Sequence, residues 1–382
     1  MENHHNHRET DSGLRVMHFQ ERNITMTHRT LAMIFLTATL TCSCGYVPVA
    51  DDGRDLATHE DVWNFYPGFA DRINAVEAVY TRGHSGLSVP VIELLALVTA
   101  RYWQVETDWR SHVQPALDAG LTAEAVEAIR TRQHPEFEND PALSAAYQFA
   151  VEILNHKTVT EAAYRDVVDV FGKKGAVALA GLIGHHTMVA LTVKAFRLEA
   201  DLSSSLPPGS WTVSRDFSEV DHPRKPAWGY PFSPRAWPMN PHLSLAENSL
   251  GTTFPFMTDR LSELSIIITA RHWNCQVPWS AHVPSAVKTG VTKETVQAIG
   301  LMEPPEPYMT DDEIALFRQA EALFTPDMAV DEATYQAAVA QVGRPGLVKL
   351  VTVMGYYSQV ALVVNTVCYT LPPLADYPFP VN

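Results

Sequence analysis

Residues 93–129 read ELLALVTARYWQVETDWRSHVQPALDAGLTAEAVEAI, and residues 263–299 read ELSIIITARHWNCQVPWSAHVPSAVKTGVTKETVQAI. The two stretches align without a gap, and sixteen of their 37 positions are identical, where composition alone gives about two. The chain is therefore an internal duplication. The identities fall on Glu93/Glu263, Arg101/Arg271, Trp103/Trp273, Trp109/Trp279, His112/His282 and Gly120/Gly290. The copies differ at Val105/Cys275, Glu106/Gln276 and Asp108/Pro278. One copy keeps an acid where the other has an amide, and the other holds a thiol where the first has an aliphatic side chain.

The same stretch sets the fold. From Val91 to Arg101 apolar residues recur at helical spacing with no Gly or Pro, so a helix is expected there. A second helix is expected from about Thr107 to Ala119, stopped by Gly120, and a third follows Thr122 as N-cap, with Ala125 to Ile129 as its apolar body. The second copy repeats all three over Leu264–Arg271, Pro278–Thr289 and Thr292–Ile299. Further on the offset becomes 171 residues: Tyr164 matches Tyr335, Gly172-Lys-Lys-Gly175 matches Gly343-Arg-Pro-Gly346, and Val189-Ala-Leu191 matches Val360-Ala-Leu362. The expected fold is all-α, two homologous helical units packed as an internal pseudo-dimer.

The boundaries follow from composition. Residues 1–50 form a leader, 51–205 the first unit, 206–256 a segment rich in Pro and aromatics, and 257–382 the second unit. The middle segment carries Pro207, Pro208, Pro223, Pro226, Pro231, Pro234, Pro238 and Pro241 with Trp211, Trp228 and Trp237. So much proline argues against regular helix, and the tryptophans argue for an ordered strap across both units. In the leader, Met26-Thr-His-Arg precedes an apolar run from Leu31 to Leu40, the pattern of a secretory signal, too short to span a bilayer. The chain is thus expected to be exported, with lipid attachment at Cys42 or Cys44 as its one route to a membrane. In an oxidising compartment the two remaining cysteines, Cys275 and Cys368, can simply pair.

A formal charge of -15, from 28 Lys+Arg against 43 Asp+Glu, disfavours nucleic acid and anionic membrane as partners. There is no glycine-rich phosphate loop, no Gly-x-Ser-x-Gly elbow and no Cys-x-x-Cys. A small-molecule substrate is expected, with no cofactor. Adjacent histidines point about 100° apart on a helix, so His185-His186 cannot readily hold one metal ion, and no His-x3-His or Glu-x2-His spacing includes either of them. One of that pair is expected to face the first copy's pocket; their counterparts are Tyr356 and Tyr357.

Three groups carry the candidate chemistry of the second copy. Cys275 and His282 stand seven residues apart, on one face if both are helical, and the preceding antiparallel helix returns Glu263 toward them. The pattern Glu-x11-Cys with Trp279 and His282 downstream, and Gly290 and Thr292 punctuating the next turn, resembles the carboxymuconolactone decarboxylase and alkylhydroperoxidase D superfamily. The resemblance covers both units and leaves out the leader and the strap.

The peroxidase branch uses a Cys-x-x-Cys pair with glutamate and histidine. Here Pro278 stands at the second cysteine position, so neither unit can run that cycle alone. The decarboxylase branch resembles Cys-Glu-x-x-Trp-x-x-His, which the first copy matches as Val105-Glu106-Thr-Asp-Trp109-Arg-Ser-His112.

The resemblance thus implies a cofactor-free acid/base enzyme acting on a small organic acid or lactone. His112 would be its acid/base, oriented by Glu106 or Glu93, and Arg101 would hold a substrate carboxylate. His282, Cys275 and Glu263 form the second candidate group, and Trp109, Trp279, His185 and His186 are candidate substrate contacts. Plainer readings stand beside these: an ion pair between Glu93 and Arg101, core tryptophans, and a capping histidine. The alternatives are a thiol peroxidase with a single Cys275 and a non-catalytic binding or assembly protein. The superfamily assembles through these helices, so a homo-oligomer is expected.

Overall fold

A helix start is favoured where a side chain accepts from its first free amides or a proline removes one, and the two copies share the first device at Thr122 and Thr292. The computed structural model describes residues 50–51, 53–137, 139–209, 211, 241–251, 259–367, 374, 376–377 and 379. In the first copy α3 (Val89–Trp103) opens on a proline and ends at Gln104 in the left-handed region (φ 60°). α4 (Glu106–Asp118) and α5 (Ala123–Arg130) follow, the latter capped by the Thr122 hydroxyl. In the second copy α9 (Arg260–His272) is capped by Asp259, α10 (Gln276–Thr289) ends at Gly290 with φ 112°, and α11 (Lys293–Leu301) is capped by Thr292. These are the helices expected from the sequence, shifted by one or two residues at most ends and by four at the start of α9.

Each copy closes with a pair of antiparallel helices, α6 (Pro141–His156) with α7 (Glu161–Ala195), and α12 (Asp311–Phe324) with α13 (Glu332–Thr366). α7 breaks at Gly172 (φ 67°, ψ 174°) and α13 at Gly343 (φ 69°, ψ 166°). A side chain rarely adopts that conformation, so the glycines are needed there. Ahead of these helices in the first copy lie α1 (His59–Trp63) and α2 (Pro67–Thr81). No strand occurs among the described residues, only an isolated bridge between Leu374 and Tyr377.

Equivalent polar contacts fasten each copy's core. Trp103 Nε1 donates to Thr187 Oγ1 at 3.1 Å, and Trp273 Nε1 to Ser358 Oγ at 2.8 Å. Arg101 Nε donates to the Arg130 carbonyl, and Arg271 Nε to the carbonyl of the equivalent Gly300. α7 and α13 pack closely at small residues: a Cβ on Gly184 would lie 2.5 Å from Gln359 Cγ, and one on Gly355 would lie 2.5 Å from Met188 Cγ. Positions 184 and 355, and 188 and 359, are equivalents under the 171-residue offset. The same contact is made twice with the roles exchanged.

By length and composition α7 and α13 are apolar enough to cross a membrane, but their most apolar windows are 100% and 89% buried inside the fold. Here that apolarity belongs to a core.

Part of the strap corrects its expectation. Residues 241–251 form α8 (Pro241–Gly251), with proline supplying the first turn, where its missing N–H costs nothing. Leu243 and Leu250 are fully buried, and Arg72 of α2 donates to the Ser249 carbonyl at 2.8 Å. At the other end Trp211 is buried, donates to Tyr147 Oη at 2.9 Å and lies under the Arg132 guanidinium. The leader with Cys42 and Cys44, residues 212–240 and Cys368 lie outside the described residues.

Candidate functional site

The Glu–His pair common to both copies is built by the α3–α4 and α9–α10 hairpins. His112 Nδ1 lies 2.7 Å from Glu93 Oε2, and His282 Nδ1 lies 2.8 Å from Glu263 Oε2. In each the carboxylate fixes the imidazole's orientation and aims Nε2 elsewhere. What meets Nε2 distinguishes the copies.

In the first copy it meets Asp108, one turn back on α4. Asp108 Oδ1 is 3.6 Å from His112 Nε2, and its Oδ2 is 3.3 Å from His186 Nδ1, on α7. The two imidazoles meet edge to face, 4.9 Å between centroids. The His112 side chain keeps 23% of its surface exposed, while Asp108 and His186 are buried. The group therefore has one edge toward solvent and an interior behind it.

Its electrostatics follow from that arrangement. Burial acts against a charged His112, but hydrogen bonds to Asp108 and Glu93 and their negative charge outweigh it, raising its pKa to about 10. Burial alone would raise Asp108, yet the imidazoles of His186 and His112 hold it well below the usual carboxylate range. His112 is thus an imidazolium at neutral pH, between two carboxylates. His185, beside it in sequence, is pushed down to about 3, by burial first and then by the charge of His186, so it stays neutral.

In the second copy Pro278 replaces Asp108, and Tyr357 stands where His186 does. The Tyr357 hydroxyl lies 2.9 Å from His282 Nε2, and burial raises its pKa well above that of free tyrosine. A phenol–imidazole–carboxylate chain replaces the two-imidazole cluster.

Several sequence expectations are corrected. Glu106 does not orient His112: it is 1% exposed and accepts from Ser205 N (2.8 Å), Ser205 Oγ (2.8 Å) and Arg110 Nε (2.5 Å), so it ties the start of α4 to the segment after α7. Arg101 is 1% exposed and places Nε and one terminal nitrogen on the carbonyls of Arg130 and Pro207, so these backbone oxygens take the place of the expected Glu93 or substrate carboxylate. Trp109 and Trp279 are 3% and 1% exposed, the latter against Phe379, which makes them core rather than platform.

Cys275 does not share a helix face with His282, because it is the N-cap of α10 with extended backbone (φ -108°, ψ 104°), outside the helical phase. It is 1% exposed and free, and burial pushes its thiol up to about 12. Of the His185-His186 pair it is His186 that joins the first copy's site, as one of the two was expected to do. The sequence reading missed Asp108 and Tyr357 as partners, and missed that Asp108, His112 and His186 present three ligand atoms within 4.8 Å of one another.

A cavity of about 400 Å³ lies at Asp259, Arg260, Asp312, Val342 and Lys349. None of the site's histidines lines it. Comparison of the chain with protein-family models, curated proteins and solved structures finds no match.

Proposed function

We propose that this chain is an exported, cofactor-free enzyme of the carboxymuconolactone decarboxylase kind, moving a proton on a small organic acid or lactone at the first copy's site. The observation that carries the reading is the Glu93–His112 pair, repeated as Glu263–His282 at nearly the same distance. A chain that merely needed to satisfy a buried histidine had many acceptors to choose from. Keeping the same carboxylate on the same imidazole nitrogen, while its neighbours changed, is what a proton-handling site requires.

In this mechanism the substrate loses CO2 by cleavage of the C–C bond. The electron pair passes into the conjugated carbonyl as an enolate, and His112 returns a proton from Nε2 to carbon. Glu93 positions the ring and supports its positive charge, and Asp108 holds the Nε2 proton until a substrate displaces it. The second copy then supports the first, and their exchange-symmetric contacts at Gly184 and Gly355 favour an internal pseudo-dimer that can further associate with copies of itself. The thiol peroxidase reading loses ground, since a reactive thiol is exposed with a lowered pKa and Cys275 has the opposite properties.

The test is CO2 release from a panel of small lactone and unsaturated acids by the purified chain, with His112→Asn, His282→Asn and Cys275→Ser beside it. Turnover lost only in His112→Asn supports the reading. Turnover that survives His112→Asn, or no turnover across the panel, counts against it and favours a binding protein.

A further inference from the structure

Copy two retains the Glu–His pair without the cluster around it, so the cluster in copy one calls for its own explanation. We propose that Asp108, His112 and His186 form a binding site for one divalent transition-metal ion of the zinc class, with Glu93 as the supporting carboxylate.

The donor set is right in kind: two imidazole nitrogens and one carboxylate oxygen, a combination that suits zinc and its neighbours. The spacing is right in size. Four ligands about 2.0–2.1 Å from a metal stand about 3.4 Å from each other in a tetrahedron; Asp108 Oδ1 lies 3.6 Å from His112 Nε2 and its Oδ2 3.3 Å from His186 Nδ1, and one donor atom from each of the three residues falls within 4.8 Å of the others. Side-chain movement of about an ångström closes the set.

A second feature that fits such a site is the bond on the far side of the ring. His112 Nδ1 donates to Glu93 Oε2 at 2.7 Å. A histidine that binds metal through one nitrogen characteristically gives the other N–H to a carboxylate, which fixes its tautomer and raises its basicity. The partly exposed edge of His112 offers entry and leaves the fourth position to water or a substrate oxygen. His185 is no ligand, because its ring turns away from His186's by the helical step.

The second copy is the built-in control. With Pro278 for Asp108 and Tyr357 for His186 it lacks two of the three donors, so the chain should bind one ion and not two. The site also bears on the proposed reaction without depending on it. A bound ion takes His112 Nε2, the atom assigned to proton delivery, so metal and proton transfer exclude each other there.

The experiment uses the full chain with His4, His5, His7, His18 and His28 changed to Ala and Cys42 and Cys44 to Ser, which removes the leader's own imidazole and thiol donors. Co2+ is titrated and followed by its visible ligand-field absorption, and Zn2+ is then added in competition. One equivalent is expected, displaced by Zn2+, lost by at least about 100-fold in Asp108→Asn and in His186→Tyr, weakened about tenfold or more in Glu93→Gln, and unchanged in His282→Ala. Asp108→Asn is nearly isosteric, and far-UV circular dichroism confirms that each variant is folded. No saturable Co2+ or Zn2+ binding by the background chain overturns the proposal. So does binding that persists in the folded Asp108→Asn/His186→Tyr double variant. Because the readout is binding, a chain that binds metal but turns nothing over separates this proposal from the enzymatic one.

Discussion

Replacing Gly184 with Ala sets two effects of opposite sign against each other. The glycine lies inside α7, where alanine stabilises a helix by about 1 kcal/mol. Propensity alone therefore predicts a more stable protein. The added Cβ, however, would stand 2.5 Å from Gln359 Cγ and 2.7 Å from its Cα on α13, whereas carbon atoms pack at about 3.5–4.0 Å. The Cα is backbone, and it is held further because Gln359 Nε2 donates to the Gly181 carbonyl at 3.0 Å. No rotamer change relieves the clash, so the helices must separate by close to an ångström and loosen the packing on either side. Overpacking of this kind costs about 1–3 kcal/mol or more, enough to overcome the gain in propensity. We expect a net loss of about 1–3 kcal/mol and a melting temperature lower by about 2–8 °C, by thermal and urea unfolding followed by far-UV circular dichroism. Gly355→Ala, at the equivalent position, should behave alike, and Met188→Ala should not rescue it, because Met188 Cβ already stands 2.8 Å from the new carbon. A Gly184→Ala chain as stable as the parent, or more so, would refute the close crossing.

Other consequences are simpler to measure. Cys275, buried and with its thiol pushed up to about 12, should react with a neutral maleimide at pH 7 at least about 100-fold more slowly than a free cysteine; in a chain with the other three cysteines changed to Ser, free-thiol rates would contradict its burial. Glu106→Gln should loosen the 203–206 segment, seen as faster amide exchange there, and leave the environment of His112 untouched, whereas Glu93→Gln should shift the His112 ring signals in NMR. Stability should also rise with pH above neutrality. Burial lowers Lys157 and Lys194 from 10.5 to about 7, so between these values the unfolded chain binds more protons than the folded one, and unfolding free energy climbs by up to about 1.4 kcal/mol per pH unit for each lysine. The slope should be shallower than the two lysines' sum, because His112, raised from 6.5 to about 10, loses stability over the same range, and because Lys157 lies over the Trp273 ring and Lys194 meets three carbonyls. Unfolding free energy that falls from pH 7 to 10 would contradict it.

Most of the scaffold was legible because its signals are local. Thr122 and Thr292 read as N-caps and behave as such, and Gly120 and Gly290 end their helices. Glu93 with His112 was also legible, since an antiparallel hairpin returns the second helix along the first. What failed was helical phase. Six residues separate Glu106 from His112, which places them about 120° apart, while the four between Asp108 and His112 leave about 40°; Asp108 was noted only as a point where the copies differ. For Cys275 the phase argument did not apply, because an N-cap residue stands outside the helix. The strap was read by its average, and the ten residues after Pro241, free of proline, were overlooked as a helix. His186 and Tyr357 reach their partners from helices more than 70 residues away, a contact no local pattern reports.

The central claim is that the first copy's imidazole moves a proton and the second copy's does not. Solvent-deuterium incorporation tests it most directly: a substrate found in the panel is turned over in D2O, and label at the carbon that lost CO2 is followed by NMR. The parent chain and His282→Asn should place deuterium at that carbon at similar rates, and His112→Asn should do so at least about 100-fold more slowly. Equal incorporation by His112→Asn, or its loss in His282→Asn instead, would contradict the account.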